Sequence, residues 1–211
     1  MMNEKIIKRS FGIAEIRAAE SDGASTIEGH PAIYDQTTKI GNYFYEVIER
    51  GAFEGCNFDD VLFSVNHDLG KIPLARSRRN NGNSTMHLTL DEKGLHMRAE
   101  LDVENNSEAR AVYNSIKRGD VDGMSFIFYV DSAKWDNLDS DMPTRRIQKI
   151  KRVIEVSAVN FPAYAGTDIN ARDQASLDNA AKALENARSQ LDNSGSELEI
   201  IKLKYSILAK G

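Results

Sequence analysis

Ser84-Thr85-Met86-His87-Leu88-Thr89-Leu90-Asp91-Glu92-Lys93-Gly94-Leu95-His96-Met97-Arg98-Ala99-Glu100-Leu101 is the stretch whose pattern decides the fold class. Met86, Leu88 and Leu90 alternate with His87 and Thr89. After the turn signal Asp91-Glu92-Lys93-Gly94, Leu95, Met97, Ala99 and Leu101 alternate with His96, Arg98 and Glu100. Strict alternation puts every second side chain on one face, so this is a β-hairpin with one buried and one wet face. Working outward, Ile27–Tyr34, Asp60–Asn66, Met124–Val130 and Arg146–Val159 also read as strands. Ser107–Arg118 reads as a helix, with Ala111, Val112, Tyr113 and Ile116 as its apolar face and Gly119 as its stop. Strands do not alternate regularly with helices. The expectation is an α+β domain, mainly antiparallel, closer to a barrel or sandwich than to a doubly wound sheet.

The 211 residues suit one ordinary domain with an appendage, long enough to fold without disulfide or metal. Composition changes near residue 172. The part before it holds 15 of the 16 aromatic residues and all four prolines. A globular domain over 1–172 and a helical tail over 173–211 are therefore expected. In the tail, Leu177, Ala180, Leu184, Ala187, Leu191, Ser194, Leu198, Ile201, Tyr205 and Leu208 follow a 3.5-residue period, a seam that needs a partner. Asp192-Asn193-Ser194-Gly195 is a turn signal and Ser196 with Glu199 resembles a capping box, so helices over 174–192 and 196–209 compete with one long helix. The seam serves either a second chain or the tail's own domain.

A net charge of −5 lacks the basic excess of a general nucleic-acid binder. The single Cys56 excludes an internal disulfide and a C-x-x-C zinc pattern. No apolar run reaches the roughly 20 residues that span a bilayer, and the opening Met1–Arg9 is too polar for a signal peptide. The five cations Arg145, Arg146, Lys149, Lys151 and Arg152 fall within eight residues and read as a solvated strand face.

Among candidates for chemistry, His87 and His96 share the hairpin's wet face without a third ligand at metal spacing, and no metal is expected there. His30, between Gly29 and Pro31, reads as structural, as does Cys56. His67 ends the apolar run Val61-Leu62-Phe63-Ser64-Val65 in a polar cluster with Asn66 and Asp68, either a surface histidine or a rigidly held one. Glu155 stands in the apolar run Val153–Val159, where a buried carboxylate needs a partner. That partner is a histidine or one of the cations Lys149, Lys151 and Arg152; an edge strand facing water is the other solution. Ser125 opens a bulky apolar strand after Gly123, but strand logic alone does not separate it from the other serines.

In order, four stretches carry a resemblance: Gly29-His30-Pro31-Ala32-Ile33-Tyr34 leading to Glu46-Val47-Ile48-Glu49-Arg50-Gly51-Ala52-Phe53; Asn66-His67-Asp68 followed by Ile72-Pro73-Leu74-Ala75-Arg76; Arg118–Phe126; and Glu155–Tyr164. Over about residues 5–172 the chain resembles the prohead (capsid maturation) proteases of tailed bacteriophages, whose fold is akin to herpesvirus assemblin. It departs at Ala75 and Ile127, where the family commonly has glycine. The resemblance implies an antiparallel β-barrel with flanking helices. It implies a serine endopeptidase with Ser125 as nucleophile, His67 as general base and Glu155 as third member, needing no cofactor. It further implies major capsid protein and its scaffold segment as substrates, self-cleavage, and a place inside the assembling prohead in the host cytoplasm. Self-association through the tail is compatible with it, and neither membrane nor nucleic acid is an expected partner. The rival is a non-catalytic capsid assembly or scaffolding module of the same fold.

Overall fold

The computed structural model describes residues 6–11, 16–21, 23–160 and 178–191. In chain order the strands are β1 (Ile6–Phe11), β2 (Arg17–Ser21), β3 (Ala24–Ile33), β4 (Thr38–Ile40), β5 (Phe44–Ile48), β6 (Leu62–Val65), β7 (Ala75–Arg76), β8 (Met86–Leu90) and β9 (Gly94–Leu101). Helix α1 (Ser107–Arg118) follows, then β10 (Gly123–Asp136) and β11 (Thr144–Val159). Residues 178–191 form a second helix, α2.

Two sheets result. One runs β1-β10-β11-β5-β4, with β6 also on β11 and β7 on β6; the other runs β2-β3-β9-β8. The hairpin pairs Met86 with Ala99 and Leu90 with Leu95, and its inward residues Met86, Leu88, Leu95, Met97, Ala99 and Leu101 are all buried. Leu90, assigned to the same face by alternation, is 43% exposed at the strand end. The Asp91 carboxylate accepts the Lys93 and Gly94 backbone N–H groups, which closes the turn. Gly94 is required there, because a Cβ would stand 2.1 Å from the Ala32 carbonyl oxygen.

Asn106 caps α1 by accepting from the N–H groups of Glu108 and Ala109, and Gly119, with φ +80°, stops it. The buried face is Ala109, Val112, Tyr113 and Ile116; Ala111 instead points outward. This face joins Ile27, Met97 and Leu101 of the smaller sheet and Met124, Phe126, Phe128 and Val156 of the larger in one core.

The expected barrel is not formed among the described residues, and the larger sheet is not purely antiparallel. The 16-residue β11 spends one edge on two different strands. Thr144–Ile147 pairs parallel with Tyr45–Ile48, and Glu155–Ala158 pairs parallel with Leu62–Val65. The sheet thereby branches and ends at β4 and β7 instead of curling back onto β1. Alternation specifies which face of a strand is buried, but not which strand lies beside it.

Of the tail seam, Ala180 and Leu184 are buried against Ile40 and Phe44, with Tyr43, Trp135 and Leu138 packed around them. Arg188 donates to the carbonyl oxygens of Leu138 and Ser140. These turns fold back on their own domain, while Leu191 on the same seam is 55% exposed. The break at 172, the turn at 192–195 and the second tail helix lie outside the described residues.

Candidate active site

Three neighbouring strands bring the candidate residues together. Along β10, Met124, Phe126 and Phe128 fill the core, and the pleat turns Ser125 to the opposite face. Ser125 pairs with Ser157 on β11, and Ser157 pairs with Ser64 on β6. Directly paired residues share a face, so the register lays Ser125, Ser157 and Ser64 in a row across three strands. Glu155, two residues before Ser157, joins the same face. All four side chains are buried, with Ser125, Glu155 and Ser157 at 0% exposure.

His67 enters from the turn that follows β6. Asn66 (φ +50°) and His67 (φ +59°) both adopt the left-handed conformation, which reverses the chain and swings the imidazole back over the row. Asn66 is held by its N–H to the Ala158 carbonyl and by its side-chain oxygen, which accepts from Asn160 N–H. A ring protonated at Nδ1 donates to Glu155 Oε2 at 2.7 Å, and its Nε2 lies 2.5 Å from Ser125 Oγ, where it accepts the hydroxyl proton. The His67 side chain is 11% exposed, so the relay has one opening to solvent.

The second Glu155 oxygen, Oε1, accepts from Ser157 Oγ at 2.5 Å and from Ser64 Oγ. The two hydroxyls are 2.9 Å apart, and Ser157 Oγ also accepts the His67 backbone N–H at 2.9 Å. The alternatives open at the sequence level thus close on one answer. Glu155 is neither on a water-facing edge nor paired with a cation of its own strand; its ionic partner is His67. Asp68 turns away and accepts from Gly70 N–H.

An open groove lined by Leu62, Leu69, Tyr129, Ile154 and Arg152 borders this face. Leu69 lies two residues beyond His67 and Leu62 pairs with Glu155, while Asp60 and Arg76 complete the lining. Leu69 and Ile72, both on the loop after His67, are 48% and 83% exposed.

The remaining candidates lie elsewhere. Beside the hairpin, His30 Nε2 of β3 is 2.8 Å from Asp91 Oδ2, and the His30 and His96 rings are 5.0 Å apart. His87 pairs with Arg98 on the wet face. No group of three metal-ligating side chains occurs among the described residues. Burial pushes the Cys56 thiol up to about 12, against a lowering backbone contact from Val153, so it is a poor thiolate source. Arg145, Arg146 and Lys149 face Glu46, Glu49 and Asp131.

Sequence reasoning alone assigns no part to Ser64 or Ser157. A signal existed: each interrupts an apolar run with a small hydroxyl, and Ser157 is one strand repeat from the odd carboxylate.

A family model described as caudovirus prohead serine protease matches residues 13–183. The solved structure of the bacteriophage T4 capsid assembly protease gp21 is similar at 13% identity and a TM-score of 0.47, over 76% of this chain and 99% of that one. No curated protein matches the chain.

Proposed function

The chain belongs to the caudovirus prohead serine protease family, and from that premise we propose that it is an endopeptidase whose triad is Ser125, His67 and Glu155. The observation that supports this most is the continuous relay from Ser125 Oγ to His67 Nε2 and from His67 Nδ1 to Glu155 Oε2. A serine hydroxyl is a weak nucleophile near neutral pH, and an imidazole in contact with it removes the proton as attack proceeds. Ser125 Oγ bonds to the scissile carbonyl carbon, its proton passes to His67 Nε2, and Glu155 stabilises the imidazolium. His67 then gives that proton to the departing amine as the peptide C–N bond breaks. Water, deprotonated by the same ring, cleaves the ester and frees Ser125. Chain order His, Ser, Glu is immaterial, because geometry defines a triad.

The substrates we assign are the major capsid protein's scaffold segment and the protease itself, cut inside the assembling prohead. No helix among the described residues is long and apolar enough to cross a membrane. The test is co-expression of the Ser125→Ala chain with its capsid protein, read by mass spectrometry. Intact capsid protein and intact protease are expected. Wild-type cleavage products from that variant would overturn the assignment of Ser125 and send the nucleophile elsewhere, with Ser157 the next candidate.

A further inference from the structure

The triad uses one oxygen of Glu155 and leaves Ser157 without a chemical part. We infer that Ser157 is a positioning residue that ties the backbone and the ring of His67 to the same carboxylate. The inference rests on the triad proposed above and adds to it the device that aims the general base.

His67 stands at φ +59° directly after Asn66 at φ +50°, two successive residues in a region uncommon for any residue but glycine, though Asn and His enter it more readily than most. A conformation of that kind persists only when its surroundings over-determine it. The His67 carbonyl accepts from Leu69 N–H, and one hydroxyl links its backbone N–H to the carboxylate. Ser157 Oγ accepts the His67 N–H at 2.9 Å and donates to Glu155 Oε1 at 2.5 Å. Glu155 Oε2 takes the ring's Nδ1–H at 2.7 Å. The path from His67 backbone through Ser157 and Glu155 returns to the His67 ring and closes a loop. Rotation of the imidazole therefore strains the carboxylate, and movement of the turn strains it as well. Ser64 touches the same Glu155 oxygen but makes no contact with the His67 backbone, so it supports the carboxylate alone. Register explains why Ser157 can do this: it is the middle of the serine row, opposite Ser125 on one side and Ser64 on the other.

The probe is a fluorophosphonate, which needs no knowledge of the natural substrate. Ser125 Oγ bonds to phosphorus, fluoride leaves, and the hydroxyl proton passes to His67. Ser157→Val and Ser157→Thr have nearly the same shape and differ in the hydroxyl. The maximal inactivation rate of Ser157→Val should fall about 100-fold, the scale of an ångström-level misplacement. That of Ser157→Thr should stay at least tenfold above Ser157→Val, with both half-saturation concentrations within about twofold of wild type. A merely space-filling residue would give equal rates for the two variants, and that result overturns the inference. Should neither variant fold, hydrogen exchange on the folded Ser125→Ala chain decides. The His67 amide should be slowed at least about 1,000-fold, and exchange at the rate of an exposed loop amide overturns the inference. Mapping the wild-type label separates the two claims. A label on a residue other than Ser125 removes the triad itself, whereas a label on Ser125 with equal Val and Thr rates removes only the role of Ser157.

Discussion

Among the described residues two histidine–carboxylate pairs have nearly equal length, and they differ in the burial of the carboxylate and in the third group. His67 and Glu155 meet at 2.7 Å; His30 and Asp91 meet at 2.8 Å. Glu155 is wholly buried, whereas the Asp91 side chain is 44% exposed. His67 uses Nδ1 for the carboxylate and turns Nε2 to a serine; His30 spends Nε2 on the carboxylate and faces another imidazole. Asp91 is further committed to the hairpin turn through Lys93 and Gly94. The pair alone therefore says little about catalysis. What matters is the third group and the exclusion of water, which strengthens each interaction around the relay.

The largest expected effect contrasts the two imidazoles. His67→Ala or Ser125→Ala should lower proteolysis on the order of 10^5-fold or more, whereas His30→Ala should leave it within about twofold. Quantitative mass spectrometry of capsid-protein cleavage measures both, and a large loss in His30→Ala would dissolve the distinction. Next, Glu155→Gln should cost up to about 10^4-fold, less than His67→Ala, because the amide keeps the shape but cannot stabilise the imidazolium. Full activity in Glu155→Gln would reduce Glu155 to a structural carboxylate.

Smaller effects belong to the hairpin. Asp91→Ala, made in the Ser125→Ala chain to prevent self-digestion, should lower unfolding stability by about 1 kcal/mol in urea titration, because two turn N–H groups lose their acceptor. Cleavage in an otherwise wild-type chain should not change. The smallest effect is acid dependence. Burial pushes the Asp91 carboxyl upward, but His30 and the Gly94 and Lys93 N–H groups outweigh it and hold it at about 2, below the ordinary value of 3.8. Between those values the unfolded chain binds more protons, so stability rises with pH there. The support Asp91 gives is full above about pH 4 and lost as pH falls through about 2. His96 is lowered by burial and then by the nearby His30, so it too favours the fold less as pH falls below the ordinary imidazole value of 6.5. Hairpin amide exchange across pH 2 to 7 would register both, and a flat profile would remove them.

Much of this could be read from the chain before the fold was seen. The hairpin, α1 and the core stretches of β3, β6, β10 and β11 follow from periodicity, since burial imposes it residue by residue. Glu155 announced itself as a charge in an apolar run, yet its partner did not, because Leu62–Val65 reaches β11 through parallel pairing across some 90 residues. No local pattern encodes that register. β4 is only three residues and β5 carries Glu46 inside it, too little alternation to register as strands. The tail shows the reverse limit: a 3.5-residue period declares an apolar stripe but is silent on whether Phe44 or another chain covers it.

The strand carrying Ser125 is hydrogen-bonded on both sides. β1 pairs with it from Met124 to Tyr129, and β11 pairs with it across the same span. No edge is left there for a polypeptide to join as an extra strand. A peptide analogue that merely imitates β-strand backbone would find no free edge on the strand of Ser125.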